Sequence, residues 1–335
     1  MQTPETGTTG IQVSLILPVY NVAGYLAECL QSIIGQSNAP TIEVLLIDDC
    51  STDESLALCQ QFAAQQPGLI AVMKNTENLG VSRTRNRGLE QARGDYFMFI
   101  DPDDVLPVDA LRKLYDAAVK SDCDIVKGNN TIFDNEREHP AAYNTDRNIR
   151  IEGEQVLATL YQHRLVRGHP WGKLFHRERL GRRRFPEGVR MAQDLVYCAG
   201  IFSEANSLLL IDATVYRYRN HETGSTGRKF ETGAYQDWLN SVEKIGEYAT
   251  TRNQSEAYRG LQLRTVAQIA RECRAIEPGL AGRVLEVIEQ TCRRWGIGFW
   301  PALRLALTSP RALGHFLKYR NAMRRIRHNL RAAVR

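Results

Sequence analysis

Apolar and polar positions follow two alternating periodicities over the first 130 residues. Short apolar runs at Ile11–Leu17 and Glu43–Ile47 predict strands, and the segment between them has apolar residues at helical spacing. Five further elements are predicted in chain order: a helix capped by Asp53 and running through Ala64, a strand over Leu69–Met73, a helix over Val81–Arg93, and strands over Tyr96–Ile100 and Asp124–Lys127. This alternation indicates an α/β fold with a mainly parallel sheet, in which ligands bind beyond the carboxyl ends of the strands.

The second half of the chain has a weaker periodicity. Residues 129–150 are polar and irregular, which predicts a loop or linker, and residues 151–228 carry shorter, mixed elements. Helical spacing returns over residues 229–292, so we predict a C-terminal helical extension there. Residues 1–10 are polar, lack the apolar core of a leader peptide and predict a flexible N-terminus.

The 335 residues carry a formal net charge of +5, which is unevenly distributed. Residues 293–335 contain eleven Lys or Arg and no Asp or Glu, so the remainder of the chain is net acidic. No run approaches the roughly 18 apolar residues that a membrane-spanning helix needs. The 7 cysteines are scattered and form no CxxC pair, which favours neither a disulfide framework nor a zinc site. A reducing cytosol is therefore the expected compartment.

Carboxylates cluster directly after the predicted strand Tyr96–Ile100. Asp101, Asp103 and Asp104 lie within one short segment, and a divalent cation with its bound phosphates would relieve their mutual repulsion. Mn²⁺ or Mg²⁺ is the expected cofactor. The alternative is an Asp-rich turn that caps a helix starting near Pro107.

Polar groups also follow the earlier strands. Asp48 and Asp49 end the second strand, where Asp49 could accept a hydrogen bond from a base imide and Tyr20 could supply a ring for base stacking. The alternative for these aspartates is turn and cap chemistry alone. On the following helix, three arginines either reach a phosphate or form a solvated face; they are Arg83, Arg85 and Arg87.

Taken in this order, the motifs resemble those of family 2 glycosyltransferases with the GT-A fold. The resemblance covers residues 11–228 and rests on the segments Val13–Asn21, Ile47–Asp53, Asn78–Gly80, Arg85–Asn86, Gly94–Tyr96 and Asp101–Asp104. It implies a nucleotide-sugar-binding half at 11–128 and an acceptor and catalytic half at 129–228. It also implies an inverting, metal-dependent transfer from a nucleotide diphosphate sugar, with UDP expected, to a glycan or lipid-linked glycan in cell-surface polysaccharide synthesis.

The resemblance further implies roles for individual residues. Nucleotide binding is implied for Pro18, Val19, Tyr20, Asn21, Asp49, Arg85 and Asp101, with Asp101 toward the ribose. The metal is implied at Asp103, with Asp104 as the second choice. Contacts to the acceptor or donor sugar are implied for Trp171, Lys173 and Gln193, and a loop on the diphosphate side is implied for Arg219, His221 and Ser225.

Inversion in a single displacement requires a carboxylate base on the acceptor side of the sugar. Relatives place it in a Glu-Asp pair after a Trp-x-Lys-Leu-Phe segment, which here is Trp171–Phe175. The matching stretch Met191–Asp194 makes Asp194 the expected base, with Gln193 in place of the Glu. The alternative is that Asp194 merely caps a helix over Leu195–Phe202.

The basic tail, residues 293–335, interleaves arginines with aromatic residues and leucines, a composition typical of interfacial helices on anionic lipid. We expect peripheral attachment to the inner face of the cell membrane, near a lipid-linked acceptor. The alternative is a basic face that is solvated or packed on the acidic body. Nothing that reads bases accompanies the positive charge, so no nucleic acid is expected. A homodimer through residues 230–289 is left open.

Two other classes of protein compete with the transferase. A dinucleotide oxidoreductase would need GxGxxG after the first strand, but Pro18–Gly24 contains no such loop. A noncatalytic module that binds a nucleotide sugar or a membrane would not need Asp194, so the presence of this residue argues against it.

Overall fold

The computed structural model describes residues 10–162, 164–189, 191–221, 232–251, 254–272 and 278–296. Within these ranges the strands form one mixed sheet: β1 (Val13–Val19), β2 (Ile42–Asp48), β3 (Ile70–Lys74), β4 (Tyr96–Phe99), β5 (Ile125–Phe133), β6 (Glu138–Pro140), β7 (Ile149–Glu152), β8 (Lys173–His176) and β9 (Ser207–Arg219). The helices are α1 (Ala23–Ile34), α2 (Ser55–Gln65), α3 (Val81–Gln91), α4 (Ala110–Ser121), α5 (Gln155–Gln162), α6 (Arg177–Leu180), α7 (Gln193–Glu204), α8 (Thr232–Lys244), α9 (Gly246–Thr251), α10 (Ser255–Glu272) and α11 (Pro278–Arg294).

The order of strands across the sheet is β3-β2-β1-β4-β8-β5-β9-β7, with β6 paired to β5. The first four strands are parallel to one another, whereas β8 runs antiparallel between β4 and β5. β5 and β9 are parallel again, and β7 closes the far edge antiparallel to β9. The sheet is therefore mainly parallel, as expected.

A hydrophobic core lies on each face of the sheet. This explains why the inner strands consist almost entirely of apolar residues. In β1, Leu15 and Leu17 belong to the core that includes side chains of α1, α2 and α4, whereas Ile16 belongs to the core on the opposite face and lies against Gly88 of α3. A parallel strand with helices on both faces has apolar residues at nearly every position. The first-half elements consequently match the predicted ones to within a few residues.

The predicted loop or linker over residues 129–150 is wrong. β5 continues through Phe133, β6 follows at Glu138–Pro140, and β7 begins at Ile149. Asn129 is buried, and its side chain donates to the Thr145 carbonyl at 2.7 Å and accepts from the Thr145 amide at 2.8 Å. Because side-chain amides here replace apolar packing, a buried strand has the polar composition of a loop.

Asp53 joins two helices rather than acting as a simple N-cap. Helix α2 begins at Ser55, whose amide donates to one Asp53 carboxylate oxygen at 3.0 Å, while the Ala23 amide at the start of α1 donates to the other at 3.0 Å. These bonds, with that of the Ser55 hydroxyl, oppose the effect of burial and lower the pKa of Asp53.

The helical extension is present as α8–α11, and α10 packs against α5. In the part of the chain that the structure describes, no helix has the length and apolarity to cross a bilayer. Residues 297–335 of the basic tail lie outside the described residues, so the prediction made for them stays a prediction.

Candidate active site

Three strand ends meet at the carboxyl edge of the parallel half of the sheet. β1 and β2 are in register there, with Val19 opposite Asp48, and the Asp49 amide donates to the Val19 carbonyl at 2.8 Å. On the other side of β1, the Ile100 amide donates to the Ile16 carbonyl at 3.1 Å and carries the chain to Asp101. The polar segments that follow β1, β2 and β4 therefore lie side by side.

The segment after β1 offers one open side chain. The Tyr20 ring is 45% exposed, as a stacking platform for a base requires. Asn21 has a positive φ of 50°, and its side-chain oxygen accepts from the Thr52 amide at 2.8 Å, which ties the turn to the segment after β2. Pro18 and Val19 are buried in β1, so their side chains support this turn rather than face a ligand.

Asp49 has a different task from the one its position suggests. Its carboxylate accepts from the Asn75 side chain at 2.7 Å and from the Leu79 and Gly80 amides at 2.8 Å each. The side chain is almost fully buried. Asp49 therefore shapes the loop that leads into α3, where Gly80 adopts a φ of 82°. Its Oδ2 accepts a single bond, so one acceptor position remains for a base imide.

Arg85 does not extend toward solvent as a phosphate-binding or solvated arginine would. It is buried, and its guanidinium donates to Asp101 at 2.8 Å and to Asp194 at 2.6 Å. Burial by itself lowers the pKa of Arg85, but the Asp194 and Asp101 carboxylates outweigh it and raise that pKa above its usual value. Arg83 on the same helix pairs with Glu187 at the surface, while Arg87 donates to the Asn75 side chain at 2.6 Å.

The three carboxylates of the acidic cluster have unlike surroundings. Burial raises the pKa of Asp101 to about 6; repulsion from Asp103 and Asp194 adds to the shift, and Arg85 opposes it. Asp104 is fully buried, accepts from the Tyr216 hydroxyl at 2.7 Å and from the Arg219 amide at 2.7 Å. Asp104 therefore links the turn to β9, and its hydrogen-bonded oxygens do not suit the second metal ligand that the resemblance implied.

Asp103 and His221 form the part of the cluster that suits a metal. Their side chains approach to 2.9 Å, between His221 Nε2 and an Asp103 oxygen, and His221 also packs on the Tyr25 ring at 4.6 Å between centroids. No group of three or more His, Cys, Asp or Glu among the described residues forms a complete protein cage. Mg²⁺ commonly takes one or two protein carboxylates and completes its shell with substrate phosphates and water, so Asp103 fits such an ion. The imidazole of His221 would suit Mn²⁺ better than Mg²⁺.

Arg219 stabilises the same turn through its side chain. Its guanidinium donates to the Asp103 carbonyl at 2.8 Å and to Glu28 at 2.5 Å, and lies 4.5 Å from the Phe133 ring centroid. Two of the five guanidinium donors of Arg219 are thus shown to be engaged within the turn. Ser225, predicted in the same loop, lies outside the described residues.

Asp194 lies in the first turn of α7, which begins at Gln193, so it does not cap a helix that begins at Leu195. It bonds Arg85 through Oδ1 only, and its side chain is 31% exposed. Among the described residues Oδ2 is therefore open to a substrate hydroxyl. The neighbouring Gln193 is half-buried at the helix start.

Trp171 and Lys173 are more enclosed than ligand-facing residues usually are. The Trp171 indole is sandwiched between His169 at 3.8 Å and Tyr216 at 4.6 Å between ring centroids. Lys173 is buried and donates from Nζ to the His169 carbonyl at 2.6 Å. Trp171 thus aligns the Tyr216 hydroxyl that holds Asp104, a structural contribution to the site.

Sequence reasoning missed three polar residues that complete the site, namely Asn75, Lys127 and Tyr216. Asn75 and Tyr216 act on other residues, on Asp49 and Asp104 respectively. Neither lies in a motif, so only the pairing of distant strands reveals them. Lys127 ends the predicted fifth strand, and a lysine in a buried run was the available signal.

Comparison with known proteins decides the family. The model for "Glycosyl transferase family 2" matches residues 14–181, just over half of the chain. The chain belongs to glycosyl transferase family 2. The family match ends before Asp194, Tyr216 and His221, so these parts of the site rest on the structure.

Curated family 2 relatives are bacterial. Streptococcus pneumoniae "Glycosyltransferase GlyA" is 29% identical over 248 residues, which is 71% of this chain and 34% of that protein. Bacillus subtilis "Minor teichoic acid biosynthesis protein GgaB" is 30% identical over 233 residues, which is 68% of this chain and 25% of that protein. The chain thus spans about a third or less of the length of these two relatives.

Solved structures confirm the GT-A fold of this family 2 member. S. aureus TarS in complex with UDP-GlcNAc superposes with a TM-score of 0.64 at 18% identity, covering 86% of this chain and 93% of that one. The mannosyltransferase PcManGT from Pyrobaculum calidifontis, in complex with GDP-Man and Mn2+, gives a TM-score of 0.55 at 19% identity, covering 92% and 82%.

Proposed function

We propose that this family 2 protein transfers a sugar, with inversion, from a nucleotide diphosphate sugar, UDP-linked by preference, to a hydroxyl of a glycan or lipid-linked glycan in bacterial surface-polymer synthesis. The observation that carries the proposal is the Arg85 bridge. A single buried guanidinium holds Asp101, the expected ribose ligand, and Asp194, the expected base, on either side of itself. Binding and chemistry thus share one rigid support.

The arrangement accounts for each part of a single displacement. Asp194 Oδ1 is held by Arg85, so Oδ2 accepts the proton from the acceptor hydroxyl as its oxygen forms a bond to the anomeric carbon. The bond from that carbon to the diphosphate oxygen breaks on the opposite face, which inverts the configuration. Asp101 orients the ribose, and the Tyr20 ring supports the base.

Asp103 and His221 would hold a divalent cation at the end of the site where the diphosphate departs. When bound, such an ion supplies charge neutralisation for the leaving nucleoside diphosphate. The Mn2+ of the PcManGT complex supports this choice of cofactor, and the UDP-GlcNAc of the TarS complex supports the choice of donor.

Two Asp→Asn variants test the assignment of roles. Asp194→Asn should lower sugar transfer by about 10²–10⁴-fold, because the base is lost, and leave UDP binding nearly unchanged. Asp103→Asn should weaken UDP binding in the presence of Mn²⁺ while changing metal-free binding little. Calorimetry with UDP with and without Mn²⁺, together with release of labelled sugar from UDP-sugars, measures both.

Asp116→Asn is the matched control, because Asp116 is an exposed carboxylate on α4. Equal Mn²⁺-dependent UDP binding by wild type and Asp103→Asn would remove the metal assignment. Transfer retained by Asp194→Asn would remove the base. A screen of labelled nucleotide sugars in which none is hydrolysed or transferred would favour a noncatalytic nucleotide-sugar-binding module.

The acceptor and the location are proposed from the relatives and the tail. A teichoic acid biosynthesis protein among the relatives supports a surface glycan as the acceptor. The eleven basic residues of 293–335 support peripheral attachment to anionic lipid on the cytoplasmic face. Flotation with anionic vesicles, with and without residues 293–335, tests this. Equal flotation with neutral vesicles would contradict the membrane proposal.

A further inference from the structure

Two lysines face each other across neighbouring strands beside the proposed base. Lys127 in β5 and Lys173 in β8 are direct partners in the antiparallel register, and both are buried. Directly opposed residues project from the same face of a sheet, and like charges in such a pair are destabilising. The pair therefore costs stability in the protein without a ligand, and a structural role does not account for it.

Lys127 lacks the partner that buried cations normally have. Only 4% of the residue is exposed, and among the described residues Nζ has no hydrogen bond or ion pair, only a cation–π contact with the Tyr143 ring, whose centroid lies 5.4 Å away. No carboxylate in this part of the chain offsets its charge: burial lowers the pKa of Lys127 to about 7, and repulsion from Lys173 adds to the shift. Burial likewise lowers the pKa of Lys173 to about 8.

A third cation and two rings complete the cluster. The Arg167 guanidinium lies 5.1 Å from the Tyr143 ring centroid, and the Tyr143 hydroxyl lies 3.5 Å from His169 Nε2. Lys173 reaches the same group of residues through the His169 carbonyl. Tyr143, Arg167 and His169 are half-buried, so solvent reaches the cluster from their side.

The cluster adjoins the start of α7, where Asp194 lies. A Cβ on Gly168 would stand 3.1 Å from the Leu195 Cα, so the segment that carries Arg167 and His169 passes directly against α7. The Asp194 carboxylate is also close enough to Lys173 to oppose, in part, the lowering of the Lys173 pKa by burial. Lys173 therefore lies within electrostatic range of the proposed base. The cluster also lies near the acidic turn, because the Asp104 carboxylate acts on the pKa of Tyr143, the ring that Lys127 contacts.

We propose that Lys127, together with Lys173 and Arg167, binds an anionic substituent, a carboxylate or a phosphate, carried by one of the two sugars at the transfer site; this rests on the proposed function. A buried ammonium with no acceptor gains charge-assisted hydrogen bonds only when an oxyanion enters. The substituent belongs either to the donor, as in a uronic acid, or to the acceptor, as in a polyol phosphate.

Binding measurements on wild type and Lys127→Met separate these two sources. The donor arm compares UDP-glucuronate with UDP-glucose, and the acceptor arm compares ribitol 5-phosphate with ribitol in the presence of UDP. We expect wild type to prefer the anionic member of at least one pair by about tenfold or more, and Lys127→Met to lose that preference. Lys120→Met, which removes an exposed lysine from α4, should retain it.

Thermal unfolding of each variant shows whether a loss of binding results from misfolding. Because Lys127→Met removes a buried cation that opposes Lys173, its Tm should equal or exceed that of wild type. No preference in either arm for wild type, or an unchanged preference in Lys127→Met, overturns the subsite while UDP binding persists. Absence of any UDP binding by wild type overturns the proposed function and the subsite together.

Discussion

The two sides of the proposed transfer site treat their charges in opposite ways. On the nucleotide side, Asp49 and Asp104 are buried with hydrogen bonds to their oxygens, and Arg85 joins two further carboxylates. On the side that carries the two lysines, Lys127 and Lys173 are buried facing each other, and no carboxylate of the described residues pairs with Lys127. Satisfied buried charges hold a scaffold in place, whereas unsatisfied ones are retained where a ligand completes them.

The Arg85 bridge is the strongest test of the satisfied side. Arg85→Met leaves Asp101 and Asp194 near each other without the cation between them, so the free energy of unfolding at pH 7.5 should fall by about 3–5 kcal/mol. Urea denaturation measures this. Arg83→Met on the same helix breaks only the exposed pair with Glu187 and should change stability by no more than about 1 kcal/mol.

Lowering the pH tests whether the stability lost in Arg85→Met is electrostatic. Because the folded-state pKa of Asp101 is already raised to about 6, this carboxyl takes up a proton as the pH falls below 6 and no longer needs Arg85. The difference in the free energy of unfolding between Arg85→Met and wild type should therefore be smaller at pH 5 than at pH 7.5. A gap that stays constant between pH 7.5 and pH 5 would assign the loss to packing rather than to charge.

Tyr216 gives a smaller effect on the same side. Its hydroxyl donates to Asp104 Oδ2 and accepts from the Asp101 amide at 3.0 Å, so Tyr216→Phe removes the bond of that amide and of one Asp104 oxygen, while the other Asp104 oxygen keeps the Arg219 amide. We expect a loss of about 1–3 kcal/mol in the free energy of unfolding. Tyr20→Phe, at an exposed ring, should leave stability unchanged. Equal stability of the two variants would show that Asp104 does not depend on the hydroxyl.

The sequence predicted the parallel half of the sheet well and the second half poorly, for a physical reason. Strands such as β1 are buried on both faces, so nearly every residue is apolar, with Ser14 the exception in β1, and the run is visible. β5 instead satisfies its buried Asn129 through Thr145, a partner 16 residues away. Local composition does not contain that partner, so the strand resembled a loop.

The site shows the same limit at the level of side chains. The positions of Asp101, Asp103 and Asp194 follow from short motifs, because local segments place them at strand and helix ends. Whether a carboxylate oxygen is open or occupied depends on distant residues: Tyr216 and Arg219 enclose Asp104, more than 100 residues away in the chain. The sequence thus places these residues at strand and helix ends, but it does not divide ligand-facing from supporting groups.

The smallest expected effect is the pH dependence of stability that Lys127 contributes. The pKa of Lys127 falls from its usual 10.5 to about 7 in the folded protein, so between these pH values the unfolded chain binds more protons and stability rises with pH. Lys127→Met lacks this dependence. The stability advantage of Lys127→Met at pH 7 should therefore shrink by about 1 kcal/mol per pH unit up to pH 9. An advantage that is constant with pH would show that Lys127 is paired, and the contrast between the two sides would fail.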